Sequence, residues 1–179
     1  AFFLISIAAL GLGANAQQAV TAGKSIVVIG DSYVRNHQQP WSLTWHARAA
    51  EKLGMFYRNM GINGNCIAFD RTDRGFGKPM TERVAEMPPE ADCVLVIAGH
   101  NDACMIADGQ SHDYFRSKLD ELCRMLKSRY PDAAIGFVTP WDVDRPYFDE
   151  VIADIKTICG KHGIAVFDAT TCGIEVNDT

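Results

Sequence analysis

From residue 24 onward, short β-branched apolar runs alternate with longer amphipathic stretches. Residues 24–30 (KSIVVIG) are such a run ending in a turn, which predicts a strand buried on both faces. Ser42 is placed to cap a helix through about Leu53, with Gly54 as its stop. Residues 55–60 form a weaker strand and lead into the glycine-punctuated loop GINGN. Residues 67–78 read as a long polar, Gly-rich loop, and 80–86 as a short helix. The run CVLVIA at 93–98 is the clearest strand after the first. Ser111 then caps a helix to about Arg129, in which Phe115, Leu119, Leu122 and Leu126 recur at helical spacing. Residues 134–139 give a fourth strand. Pro146 opens a helix with Phe148, Ile152, Ile155 and Cys159 on one face, closed by Gly160 and Gly163. Residues 164–167 give a fifth strand.

Strand–helix alternation at this spacing predicts an α/β fold: a three-layer, doubly wound parallel sheet with flavodoxin-like strand order 2-1-3-4-5. No internal repeat or linker interrupts residues 17–179, so these are expected to form one domain. In such sheets ligands bind beyond the carboxyl ends of the strands, where the strand order reverses.

Three considerations narrow the setting. Residues 1–16 (AFFLISIAALGLGANA) resemble the apolar core and A-x-A cleavage site of a secretory signal peptide, cut before Gln17. With no initiating Met, the sequence reads as starting inside its own leader, and the expected destination is the periplasm or the extracellular space. The run is shorter than the ~20 residues of a spanning helix, so no membrane span is expected. The net charge of -5, with 17 Lys and Arg against 22 acidic residues, argues against nucleic acid as a partner. Six cysteines are too few for a disulfide-built scaffold at 47% hydrophobic content. Cys66, Cys104 and Cys172 fall in loop-like segments and are the better candidates for pairing. Cys93, Cys123 and Cys159 lie on apolar faces that suit buried thiols. No C-x-x-C pair or zinc-spaced His/Cys cluster occurs.

The loops after the first three strands carry the chemistry: Gly30, Asp31 and Ser32; then Asn59, Gly61, Gly64 and Asn65; then Gly99, His100, Asn101 and Asp102. The expected topology brings all three to one edge of the sheet. A hydroxyl, a glycine backbone and a carboxamide there suit acyl transfer. Ser32 would be the nucleophile, with the Ser32 and Gly64 N–H groups and the Asn101 amide as oxyanion donors. Asp31 and His100 stand beside them as candidates for substrate contact, Asp31 also being suited to fixing the turn.

IVVIGDSYV, NMGINGN and AGHND resemble, in order and spacing, the first three blocks of the SGNH (GDSL-type) hydrolases. The resemblance runs from Lys24 to about Asp168 and implies a cofactor-free ester or thioester hydrolase. Ser32 matches the nucleophile, Gly64 the second-block glycine and Asn101 the third-block asparagine. Tyr33 stands where the family more often has Leu. The family's general base is a His in a D-x-x-H block, which this sequence does not contain; by that reading the chain is cut before the block and nearly inactive as it stands. Of the five histidines, His46, His112 and His162 are expected to be structural or solvated. His37, five positions past Ser32, is the candidate substitute base, though nothing is placed to orient it.

Two other readings stay open. GDS, DRTDRG at 70–75 and GHND faintly resemble metallophosphoesterase blocks, but the first lacks its D-x-H and the third has His before Asn. DRTDRG is more simply a solvated, ion-paired loop. The same cleft could also belong to a non-catalytic module that binds glycans or proteins. For the esterase, the open polar loop between Cys66 and Lys78 and the nearby Trp41, Trp45 and Trp141 favour a short acyl ester on a sugar, although ordinary packing suits the tryptophans equally well.

Overall fold

The computed structural model describes residues 20–141 and 145–171. Five strands, β1 (Ser25–Gly30), β2 (Phe56–Gly61), β3 (Cys93–Ile97), β4 (Ala134–Val138) and β5 (Ala165–Phe167), form one sheet in the order β2-β1-β3-β4-β5. Every pairing is parallel, with Ile26 opposite Tyr57 on one side and Cys93 on the other. The expected topology is therefore the observed one.

The period-two alternation of β1 and β3 sorts their side chains into two cores. Val27, Ile29, Val94 and Val96 point to one face, where they meet α5 (His112–Arg129) through Phe115, Leu119, Leu122 and Leu126, and α6 (Phe148–Lys161) through Val151 and Ile155. Ile26, Val28, Leu95 and Ile97 point to the other, against Val34 of α1 (Ser32–Arg35) and Ala50 of α2 (Trp45–Lys52). Each buried aliphatic side chain contributes ~1.5–3 kcal/mol, so the two faces together hold the three layers. The cap of α5 is Ser111, as its sequence predicts. For α2 it is Thr44 rather than Ser42, because Ser42 lies in a single 3-10 turn, Trp41–Leu43, and the Thr44 hydroxyl accepts the Ala47 N–H.

Two segments depart from expectation. Cys66, Ile67, Ala68 and Phe69 are not the start of a polar loop but lie fully in the core. Buried backbone outside a sheet needs partners, and the Asp102 carboxylate supplies them, accepting the Ile67 N–H at 2.9 Å and the Ala68 N–H at 3.0 Å. Asp102 itself belongs to a helix the hydrophobic pattern did not reveal, α4 (His100–Ala107). The short helix near residue 80 is α3 (Met80–Arg83), continued as a 3-10 turn through Glu86. Cys66 and Cys104, expected as pairing candidates, are unbridged thiols, and Cys172 lies outside the described residues. Cys123 and Cys159 meet at 3.8 Å in the core between α5 and α6. No helix among the described residues is long and apolar enough to cross a membrane.

Candidate active site

The carboxyl ends of β1, β2 and β3 converge because glycines let the backbone close up. At Gly30 a Cβ would strike the Ile97 carbonyl and Val34, and at Gly61 it would strike the α1 backbone. Helix α1 therefore springs directly from β1, with half-buried Ser32 as its first residue. Asp31 caps it: its Oδ1 accepts the Tyr33 N–H at 2.9 Å, the local bond expected for this turn. The same carboxyl is wholly buried, and its Oδ2 accepts from Asn101 Nδ2 at 3.3 Å. The carboxyl has no exposed surface, and its bonds to the Tyr33 N–H and to Asn101 fix the turn that carries Ser32. Burial pushes its pKa up to about 7.

Asn101, in the first turn of α4, ties the loops together. Its Nδ2 also donates to the Asn65 carbonyl at 3.1 Å, and its Oδ1 accepts from Arg71 Nη1 at 3.3 Å. Arg71 Nη1 donates in addition to the Gly64 carbonyl at 3.0 Å. Gly64 has φ +70°, and a Cβ there would lie 2.5 Å from the Phe76 ring, on which the Arg71 guanidinium stacks at 4.4 Å. Asn65 is buried and held from below: its Nδ2 donates to the Lys78 carbonyl, and its Oδ1 accepts from buried Arg83, which also reaches the Met60 carbonyl. Thus the residue before Ser32, the residue after Gly64 and Asn101 share one hydrogen-bond network. Asp102, the next residue, accepts the Ile67 and Ala68 N–H groups, and burial raises its pKa to about 6.

The sequence pattern singles out neither Arg71 nor Arg83, and it places Asn65 in the second loop without showing the bonds that hold it. DRTDRG is only partly the solvated loop expected: Asp70 caps Thr72 in the open, but Arg71 turns inward. Nothing in the spacing separates Arg71 from Arg74; the signal lies in the fully buried run just before it, which pulls the loop against the sheet.

The imidazoles are dispersed. His46 is buried among Thr44, Tyr57 and the Tyr33 carbonyl; His112 pairs with Asp154 and His162 with Asp120. His37 is exposed at φ +50°, with its carbonyl bonded to Asn63. His100 packs edge-on against Tyr33 and Phe148, its Nδ1 lies 3.4 Å from the Tyr33 hydroxyl, and burial lowers its pKa. Tyr33 also lies against Trp141, with centroids 4.4 Å apart. Trp41 stacks on Tyr57, and Trp41 and Trp45 are both nearly half exposed. Among the described residues no group of three or more His, Cys, Asp or Glu is arranged to hold a metal ion.

Solved structures share this fold at low identity. A protein described as a GDSL-like lipase from Bacteroides uniformis superposes with TM-score 0.64 at 22% identity, covering 83% of this chain and 84% of its own. AlinE4, an SGNH-hydrolase family esterase, gives 0.66 at 15%, covering 88% and 85%. A variant of Axe2, an acetyl-xylooligosaccharide esterase from Geobacillus, gives 0.60 at 19%, covering 83% and 77%. No curated protein matches the chain significantly by sequence. Residues 28–177, which hold every strand but the start of β1 and all three strand-end loops, match one family throughout, and the chain belongs to it: the GDSL-like lipase/acylhydrolase family.

Proposed function

We propose that the protein is a serine esterase that cleaves carboxylic esters through an acyl-enzyme. The observation that carries this reading is the Asn101 carboxamide, bonded at once to Asp31 and Asn65 and so joining the loops of Ser32 and Gly64. Ser32 Oγ adds to the ester carbonyl carbon, and its proton passes to a general base. The carbonyl π electrons move onto oxygen, where the N–H groups of Ser32 and Gly64 and the Nδ2 of Asn101 receive the negative charge. Of the two bonds that Nδ2 makes, the one to Asp31 is the longer, at 3.3 Å, and is the one it would exchange for the oxyanion. Collapse expels the alcohol, which takes up the proton held by the base, and water then releases the acid by the same steps.

The base in the resembled family is the His of D-x-x-H. These 179 residues lack that block, and we expect them alone to turn over an aryl acetate only at trace level. For the alcohol part we favour a carbohydrate and for the acyl part a short chain. In support stand the exposed Trp41 and Trp45, flat faces suited to a sugar ring, and a structural neighbour that acts on acetyl-xylooligosaccharides. The apolar run at 1–16 with its A-x-A end supports export.

In the full-length protein, Ser32→Ala should lower p-nitrophenyl acetate hydrolysis at least ~10³-fold, while EDTA leaves it unchanged. Activity that survives Ser32→Ala, or that EDTA removes, overturns the proposal. Acetate release from acetylated xylan should exceed cleavage of long-chain esters; the reverse order would refute the sugar assignment alone.

A further inference from the structure

We propose that Arg71 is a positioning residue for the oxyanion site, its one guanidinium holding both the Gly64 peptide and the Asn101 carboxamide in register behind the nucleophile. The inference rests on the esterase reading above and extends it to a residue outside the three sequence blocks. A single nitrogen, Nη1, forks to the Gly64 carbonyl at 3.0 Å and the Asn101 Oδ1 at 3.3 Å. The first bond fixes the peptide on the far side of a residue at φ +70°, and so the direction of the Gly64 N–H. The second determines which end of the Asn101 amide is the donor: Oδ1 faces the cation, and Nδ2 must face Asp31, Asn65 and the Ser32 side. Phe76 holds the fork in place, its ring lying under the guanidinium and filling the space beside Gly64.

Charge gives the arrangement a second effect. Two wholly buried carboxyls, Asp31 and Asp102, flank a site that has to accept an oxyanion. Once ionised, above about pH 6 to 7, they oppose that charge in a low-dielectric setting, and the Arg71 cation, which favours the charged form of Asp102, offsets that carboxylate. A cation bonded to the amide oxygen also polarises the amide and strengthens its N–H as a donor.

The test is ester hydrolysis by the full-length protein carrying Arg71→Met or Arg71→Lys, with Ser32→Ala alongside and thermal melts to score folding. Loss of one oxyanion donor elsewhere costs ~10²–10³ in kcat, so Arg71→Met should lower kcat about 100-fold with KM changed less than about twofold. Added methylguanidinium should restore part of that rate. Arg71→Lys, which keeps the charge, should retain roughly a tenth of wild-type kcat, and it carries the test if the Met variant does not fold. A folded Arg71→Met enzyme with wild-type kcat overturns the inference, as does a rise in KM at constant kcat, which would make Arg71 a substrate contact. If Ser32→Ala stays active, the esterase reading fails and the inference with it. If Ser32→Ala is dead while the Arg71 variants keep kcat, only the inference fails.

Discussion

At the scale of single residues, the site is defined by backbone conformation as much as by side chains. Gly64 is held at φ +70° with the Phe76 ring where a Cβ would go. An L side chain there meets both a left-handed penalty of ~1–2 kcal/mol and a contact of 2.5 Å with the ring. Gly64→Ala should therefore destabilise the fold by about 1–3 kcal/mol and depress kcat more than KM, as read from urea midpoints and ester kinetics. The buried carboxyls give a second prediction. Burial raises the pKa of Asp31 to about 7 and of Asp102 to about 6, so the folded protein keeps protons that the unfolded chain gives up near pH 4. Their contribution to stability is complete below about pH 4 and is lost as pH rises through 6 to 7, each group adding a slope of at most about 1.4 kcal/mol per pH unit. Stability measured by urea denaturation should fall across that window, and Asp31→Asn should flatten the fall. A profile as steep as wild type in the variant would show that Asp31 ionises normally in the fold.

At the scale of elements, what could be read from the chain followed how periodic each segment is. All five strands and helices α5 and α6 lie close to where apolar spacing puts them; β1, β3, β4, α5 and α6 bury apolar side chains in the core, while the edge strands β2 and β5 are only partly covered. The misses have one physical origin. Helix α4 starts in the same residues, His100–Asp102, that look like loop chemistry, and its buried residues are Asp102, Ala103 and Ile106, too few to make a stripe. The Cys66–Phe69 run is buried without being a strand, since a side-chain carboxylate takes the place of a strand partner. Neither fact leaves a period in the sequence. The inward turn of Arg71 depends on that buried run, so it was equally invisible. Leu119, fully buried on α5 beneath the sheet, tests the periodic part. Leu119→Ala should cost ~2–5 kcal/mol in chemical denaturation while leaving KM unchanged.

At the scale of the whole molecule, the strand order does the assembling. Crossing from β2 back over β1 to β3 brings together three loops that are ~30 residues apart in sequence, at the edge where doubly wound sheets hold ligands. The three sequence blocks were legible because each is short and local. The network joining them, through Arg71, Asn65 and Arg83, was not, because it forms only once the sheet has folded. The measurement that reaches the account most directly is labelling of the full-length protein with a fluorophosphonate, followed by intact mass and peptide mapping. One adduct is expected, on the peptide containing Ser32, and it should disappear in Ser32→Ala together with esterase activity. An adduct on another residue, or hydrolysis that persists in Ser32→Ala, would contradict it.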